Sequence, residues 1–135
     1  MRFWISFIIF FAVVFTGCQG EGQQPNKNTC GYFKVGTFKY AGSEDVRVER
    51  TNDRQIEYNL NGNGGYIYTD YYHIEWVGDC EYYLTLDSTD HAHDLNFSKN
   101  DTMWVKINEV SRTSYSFTAI KGNKTFTGEL KKTDS

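Results

Sequence analysis

The sequence is poor in proline and has no excess of positive charge. Its 135 residues contain one Pro, and 14 Lys and Arg side chains stand against 17 Asp and Glu, for a formal net charge of −3. The single proline excludes collagen-like and proline-rich architectures. Proteins that bind nucleic acid without sequence preference need a basic surface, and this charge balance does not provide one. We therefore expect no nucleic-acid partner.

The motifs that mark common enzyme classes are also missing. The chain has no Cys-x-x-Cys pair, no Gly-x-Ser-x-Gly elbow and no phosphate-binding glycine motif. Glu57 and Glu75 lie on segments that can be neighbouring strands, and a carboxylate pair is what glycoside hydrolysis requires. The nearby arginines Arg47, Arg50 and Arg54 favour cross-strand ion pairs with these acids instead. We expect no enzymatic activity and no cofactor.

The N-terminus has the pattern of an export signal. Met1-Arg2 forms a short positive region, and Phe3–Phe15 is apolar except for Ser6. A bilayer-spanning helix needs about 20 apolar residues, so this run is the length of a signal-peptide core rather than of a permanent span. The alternatives are an ordinary secretory signal with a free Cys18 and a thin membrane anchor.

The residues that follow, Thr16-Gly17-Cys18, resemble the lipobox of bacterial lipoproteins, with Phe15 in place of the usual Leu. The resemblance implies that Cys18 is cleaved from Gly17, linked to diacylglycerol and acylated, for example with palmitate, so that the chain is held on a membrane. Gln19 is not the Asp that retains lipoproteins at the inner membrane. The cell envelope is therefore the predicted location, with the outer membrane favoured over the inner.

The remaining chain divides into a tether and one domain. Residues 1–17 are the predicted signal peptide, residues 18–29 a polar, flexible tether, and residues 30–135 a single domain. Two cysteines are left in that domain, Cys30 and Cys80. Disulfides persist in exported proteins, so we predict a Cys30–Cys80 bridge, the alternative being two separate buried thiols. Such a bridge stabilises a domain by about 4 kcal/mol.

The domain has the alternating pattern and the turn residues of an all-β protein. Gly78-Asp79 and Gly122-Asn123 are hairpin signals, and Asn61–Gly65 is a loop. Any helix is confined to a short turn between Ser88 and Lys99. We predict a small antiparallel meander that closes into a barrel or a barrel-like sandwich. Its eight strands are Val35–Tyr40, Val46–Arg50, Gln55–Leu60, Tyr66–Val77, Cys80–Leu86, Thr102–Val110, Ser114–Lys121 and Lys124–Lys131.

Two family resemblances accompany this pattern. Gly36-Thr37-Phe38 resembles the Gly-x-aromatic opening of lipocalin-like barrels. A wider resemblance, over about half of the mature chain, is to small lipoproteins of Bacteroidota, and it implies no activity. It rests on the lipobox, Cys30, Gly36–Tyr40, Gln55–Glu57, Ile74, Trp76, Asp79, Cys80, Tyr82 and Leu84.

One loop has metal-ligand chemistry. His91 and His93 are spaced to project to the same side of an extended segment, and Asp90 and Asp94 could complete a Zn²⁺ or Cu²⁺ site. Polar loops often have this spacing, so the competing interpretation is a solvated connection. His73 lies in a predicted strand, where it is either a partly buried neighbour of aromatic residues or a third ligand.

Aromatic side chains are the most suggestive feature of the domain. The chain has 10 Tyr, among them the adjacent pairs Tyr71-Tyr72 and Tyr82-Tyr83. Neighbouring residues of a strand point to opposite faces, so the two members of each pair cannot both face inward. Some tyrosines therefore lie outside, either as ordinary strand residues or as a recognition surface. The predicted binding surface is the even-numbered face of one strand, with Tyr66, Tyr68, Tyr72 and Trp76.

Two functions fit these observations. The leading hypothesis is a non-catalytic interaction module for an envelope protein or a glycan, comparable in size and architecture to the small lipoprotein inhibitors of lysozyme. It predicts a solid core. The alternative is a lipocalin-like carrier of a small apolar ligand, which predicts a cavity. A metal-binding protein that uses the His91 and His93 loop is a more distant alternative.

Overall fold

The computed structural model describes residues 26–91 and 101–134. Eight strands form an antiparallel meander, and β1 pairs with β8 to close a barrel. A 3-10 turn, Cys30–Phe33, precedes the first strand. The strands are β1 (Gly36–Tyr40), β2 (Val46–Arg50), β3 (Arg54–Leu60), β4 (Tyr66–Trp76), β5 (Glu81–Thr89), β6 (Thr102–Val110), β7 (Ser114–Lys121) and β8 (Lys124–Lys132).

The predicted all-β fold is confirmed, and the closed ladder makes it a barrel rather than a sandwich. Strands β2, β6 and β7 have the predicted bounds, and the other five differ by one to three residues at an end. The 3-10 turn has no counterpart in the prediction. A helical turn was expected between Ser88 and Lys99, but residues 88–89 belong to β5. Residues 92–100 lie outside the described residues. The predicted signal peptide and most of the tether also lie outside them.

The predicted disulfide between Cys30 and Cys80 is present, with the two Cα atoms 5.2 Å apart. It fastens the 3-10 turn to the connection between β4 and β5. That connection is a hairpin, as expected, but residues 77–80 form a loop of four residues instead of the two-residue turn predicted at Gly78-Asp79. Cys80 lies outside the strand ladder and bonds to Cys30, so β5 begins only at Glu81.

Side chains alternate between the barrel interior and its outer surface along each strand, as the pleat requires. Val48, Leu84 and Val105 are among the buried residues that fill the interior from β2, β5 and β6. Strand β3 is the exception in composition. Its interior face is polar, with Gln55 buried and Glu57 beyond it, whereas its apolar face is directed outward.

The ends of the barrel are built differently. At the closed end, where β1 begins and β8 ends, the 3-10 turn covers the interior, and Phe33 is completely buried beneath it. Lys132 closes the same end by donating to the backbone oxygens of Tyr32 at 2.9 Å and Val35 at 2.8 Å. At the open end, β1, β3, β5 and β7 finish and β2, β4, β6 and β8 begin.

Candidate functional site

A buried arginine organises the closed half of the interior. Arg50 is 2% exposed, and its side chain lies among aromatic rings. Its Nε donates to Gln55 Oε1 at 2.8 Å and its Nη1 to the Phe33 carbonyl at 3.0 Å. Its Nη2 donates to the hydroxyls of Tyr82 at 3.1 Å and Tyr115 at 2.9 Å. Four donors of this permanently charged group are therefore satisfied by neutral acceptors.

The rings around Arg50 complete the packing. Its guanidinium carbon lies 4.9 Å from the centre of the Phe38 ring and 5.0 Å from that of Tyr82, distances at which a cation is attracted to an aromatic face. Phe33 and Tyr115 meet edge to face, with ring centres 5.2 Å apart. This half of the barrel is a solid core.

The open half of the interior contains a cavity of about 380 Å³. This is in the range of small-molecule pockets, about 300–1,000 Å³. Six strands contribute to its lining, and small residues at Ala119 and Gly128 leave the space open. The aromatic members of the lining are Tyr40, Tyr68, Tyr72, Phe117 and Phe126.

Two carboxylates face this cavity. Glu57 on β3 and Asp70 on β4 are directly paired in the antiparallel register and both line the cavity. Gln55 connects Glu57 to the closed half, because its Nε2 donates to Glu57 Oε1 at 2.7 Å while its Oε1 accepts from Arg50. Asn59 Nδ2 donates to Asp70 Oδ2 at 3.4 Å.

The surroundings of Glu57 raise the pKa of its carboxyl group toward neutral pH. The pKa of Glu57 is raised to about 7, mainly by burial and also by the charge of Asp70, against the opposing effects of the Gln55 hydrogen bond and Arg50. The pKa of Tyr40 is well above its ordinary value, mainly because of the charge of Glu57 and also because of burial. Glu57 therefore changes its charge near pH 7, whereas Tyr40 remains a neutral hydroxyl.

A close approach in the sheet shapes one wall of the cavity. Phe117 on β7 is paired with Gly128 on β8, and a Cβ at Gly128 would lie 2.9 Å from the Phe117 ring. The absence of a side chain at Gly128 allows the ring to lie against the sheet instead of across the cavity. Tyr40 meets Phe117 edge to face, with ring centres 6.2 Å apart.

The structure corrects the predicted aromatic binding surface. Tyr72 is only 6% exposed and belongs to the core, Tyr68 lines the cavity, and Trp76 packs against Tyr82 with ring centres 4.6 Å apart. Tyr66 is 56% exposed and donates a hydrogen bond to Asp90 near the open end. An outward face is therefore wrong for Tyr68, Tyr72 and Trp76, because closure of the barrel makes the even-numbered side of β4, which includes the buried Ile74, the interior one.

The predicted metal site is described only in part. Asp90 accepts hydrogen bonds from the Tyr66 hydroxyl and the Thr69 amide, and the His91 ring packs against Tyr68 with centres 4.4 Å apart. His93 and Asp94 lie outside the described residues, as does the predicted lipidation site Cys18. Within residues 26–91 and 101–134, no three His, Cys, Asp or Glu side chains are grouped to hold a metal. His73 is exposed on the outer face of β4.

The two carboxylates considered for glycoside hydrolysis are on opposite sides of the sheet. Glu57 faces the cavity, whereas Glu75 is exposed on the outer face of β4. The acid that lies across from Glu57 is Asp70. Sequence reasoning did not pair these two residues, and the signal that could have found them is the β3–β4 hairpin register counted outward from the Asn61–Gly65 loop.

Comparison with known proteins supports the fold. No protein-family model matches the chain, and neither does any curated protein. The fold is similar to that of a lipocalin-like protein from Bacteroides uniformis, whose crystal structure superposes with a TM-score of 0.50 at 14% sequence identity, over 74% of this chain and 98% of that chain. The two chains thus share a lipocalin-like barrel, and the likeness extends to the fold alone.

Within residues 26–91 and 101–134, no helix has the length and hydrophobicity needed to cross a bilayer.

Proposed function

We propose that the protein is a lipid-anchored, non-catalytic carrier that holds a small molecule in the open half of a lipocalin-like barrel. The observation that carries this proposal is the cavity of about 380 Å³ beside a solid closed half. Pockets of this size that combine aromatic walls with a few polar groups are typical of ligand sites. The closed half supplies the stability that lets the other half remain open.

The interaction-module hypothesis has less support. It requires a solid core and a continuous recognition surface. The open half has a cavity instead of a solid core. On the outer surface, Tyr83 on β5 and Ile120 on β7 both pair with Trp104 on β6 and form one short apolar row, and Tyr71 on β4 lies apart from it.

The proposed anchor is Cys18, and its support is the apolar segment Phe3–Phe15 followed by Thr16-Gly17-Cys18. Acyl chains on one cysteine hold a protein on a membrane through their buried CH₂ groups, at about 0.8 kcal/mol each. A Cys18→Ala variant should move from the membrane fraction to the soluble envelope fraction on cell fractionation. Continued membrane retention would remove the anchor from the proposal and leave the carrier function as it is.

The carrier function is tested by native mass spectrometry of residues 19–135, exported to the periplasm and purified without detergent. The closed strand ladder and the disulfide lie within this segment, so it contains the complete barrel. We expect a reproducible bound mass. Ala119→Trp fills the cavity from β7 and should abolish that mass, whereas Ile120→Trp places the same ring on the outer surface and should leave it unchanged.

The carrier function would be rejected if the unmodified chain has a bare mass and if Ala119→Trp does not change the binding of any added small molecule. Circular dichroism of both tryptophan variants shows whether the barrel is intact in each. Capture of envelope partners on whole cells would then be the appropriate test of the interaction-module hypothesis.

A further inference from the structure

The chain enters the barrel at its closed end. The 3-10 turn Cys30–Phe33 covers that end, and the disulfide fixes Cys30 to Cys80 in the connection between β4 and β5. The residues just before the turn remain beside it, because the Thr29 amide donates to the Asn26 carbonyl at 3.1 Å. The part of the chain that precedes Asn26 is therefore attached at the closed end.

The distance from that point to the proposed anchor is limited. Residues 18–25 connect the proposed lipid attachment at Cys18 to Asn26, and eight residues span at most about 29 Å when fully extended. The barrel is about 28 Å tall, because β4 has 11 residues, each rising about 3.3 Å along a strand tilted by about 40°. The open end would reach a bilayer only if residues 18–25 were stretched to their limit along the barrel wall, and such extension costs conformational entropy.

Two exposed aliphatic side chains lie at the closed end. Val35, between the 3-10 turn and β1, is 46% exposed, and Val77, directly after β4, is 50% exposed. The segments that carry them are in contact, because Lys34 Nζ lies 4.8 Å from the centre of the Trp76 ring. Lysine and tryptophan are residue types that suit the boundary between lipid and water. This end therefore combines exposed apolar groups with side chains suited to a membrane surface.

Charge contributes little at the closed end. Outside the strands, this end has three basic and three acidic side chains, namely Lys27, Lys34, Arg112, Asp53, Asp79 and Asp134. Attraction to anionic lipid requires an excess of basic side chains, and here the two signs balance. Contact with a bilayer would therefore depend on the apolar side chains.

Other exposed apolar side chains are less well placed. Those at the open end are Tyr66, Ile67 and Phe126, and the length of residues 18–25 keeps that end from the bilayer. On the outer wall, Tyr83 and Ile120 are each 38% exposed. Beside them, Lys106 and Glu81 form an ion pair at 3.7 Å, and charged side chains are unfavourable in contact with lipid.

We propose that the closed end of the barrel rests on the bilayer surface, with Val35 and Val77 in the headgroup region and the cavity on the side away from the membrane. This inference rests on the proposed anchor at Cys18. Because the anchor makes the contact intramolecular, a weak apolar contact is sufficient to orient the barrel. The solid closed half then separates the cavity from the bilayer, so the cavity exchanges its ligand with the aqueous phase.

The test uses the complete lipidated protein in vesicles of phosphatidylethanolamine and phosphatidylglycerol, with a quenching spin label on a small fraction of the headgroups. A fluorescent dye is attached to one introduced cysteine in each of three variants. Asn52→Cys lies in the β2–β3 connection at the closed end, and Asn63→Cys lies in the β3–β4 connection at the open end. Thr125→Cys lies on the outer wall, paired with Ile120. We expect the dye to be quenched at position 52 and not at positions 63 and 125.

Matched variants assign the contact to the two valines. In the Asn52→Cys protein, Val35→Ser together with Val77→Ser removes the apolar groups and should lower the ratio of quenched to unquenched dye about tenfold. Ile120→Ser removes an exposed apolar group from the outer wall and should leave the ratio unchanged. Addition of about 0.5 M NaCl, which screens charges, should also leave it unchanged. Circular dichroism checks that each variant is folded.

The outcomes separate the orientation from the anchor. Stronger quenching at position 63 or 125 than at position 52, equal quenching at all three, or no effect of the two valine substitutions would overturn the orientation and leave the anchor standing. Protein that does not float with the vesicles, and whose N-terminal peptide has no acyl mass, would reject the anchor and this inference together. The carrier function is measured separately, by the native mass of residues 19–135.

Discussion

The closed and open halves of the barrel follow the same alternation of side chains but fill their interiors differently. In the closed half, a buried cation has neutral hydrogen-bond acceptors and aromatic rings around it, and a disulfide fastens the covering turn. In the open half, two carboxylates lie side by side next to a cavity of about 380 Å³. The interior is therefore filled in one half and open in the other.

This difference has an energetic meaning. Arg50 stabilises the fold because its donors are used and its rings are packed. Glu57 costs stability when it is ionised, because burial and Asp70 both disfavour its charged form. Strain of this kind is common at binding sites, where the ligand provides the missing interaction.

Removal of the disulfide should weaken the closed half most. A double Cys30→Ala, Cys80→Ala variant is expected to lose about 4 kcal/mol of unfolding free energy, because the 50-residue separation gives a large loop-closure entropy in the unfolded chain. Urea denaturation measures the loss, and reduction of the unmodified protein should reproduce it. An unchanged midpoint would mean that packing of Phe33 and the hydrogen bonds from Arg50 and Lys132 hold the covering turn without the disulfide.

Replacement of Arg50 removes the buried charge at the centre of the closed half. Arg50→Met should lower the unfolding free energy by about 3 kcal/mol, because it leaves the buried hydroxyls of Tyr82 and Tyr115 and the side chain of Gln55 without their donor. Arg54→Met, at an exposed position of β3, is the control and should change little. Comparable effects of the two substitutions in urea denaturation would contradict a special role for the buried arginine.

Neutralisation of Glu57 should act in the opposite direction. Its pKa of about 7 in the folded protein lies above the ordinary 4.5, so the folded state binds more protons than the unfolded state between these values. Stability therefore falls as pH rises from 4.5 to 7. Glu57→Gln should raise the unfolding free energy by about 3 kcal/mol at pH 8 and leave it nearly unchanged at pH 4.

The measurement for Glu57 is the unfolding free energy from urea denaturation at pH 4, 6 and 8. Glu75→Gln is the matched control, since its carboxylate is exposed on the outer face of β4. A Glu57→Gln variant with the same pH profile as the unmodified protein would show that another group controls the pH dependence.

A change in the wall of the cavity should have the smallest effect. Gly128→Ala places a methyl group 2.9 Å from the Phe117 ring, and we expect it to cost about 1 kcal/mol as the ring moves toward the cavity. Binding of any small molecule in the cavity should weaken as the space decreases. Gly62→Ala, whose added methyl group has no described heavy atom within 4 Å, should leave thermal unfolding and binding unchanged.

Local patterns predicted most of the fold. The Val46–Arg50 strand and the Gly122-Asn123 turn depend on residues that are neighbours in the sequence. The structure has both where they were expected, with Gly122 at φ +58°. The 3-10 turn at Cys30–Phe33 was not predictable in the same way, because its position depends on Cys80 and on packing of Phe33 under the barrel end. The same holds for the aromatic side of β4. The even spacing of its residues was recognised from the sequence, but whether they point into or out of the barrel was not.

The sequence by itself determined the all-β class, the number of strands and the partner of Cys30, because periodicity, turn residues and the count of cysteines are properties of the linear chain. Only the tertiary structure decided which face of each strand lies inside. On β3, the apolar pattern favours burial of Ile56 and Leu60, yet Gln55 and Glu57 face the interior. Closure of the barrel gives all eight strands one interior. The register between β3 and β4 places Glu57 beside Asp70, and this pairing depends on contacts between residues that are distant in the sequence.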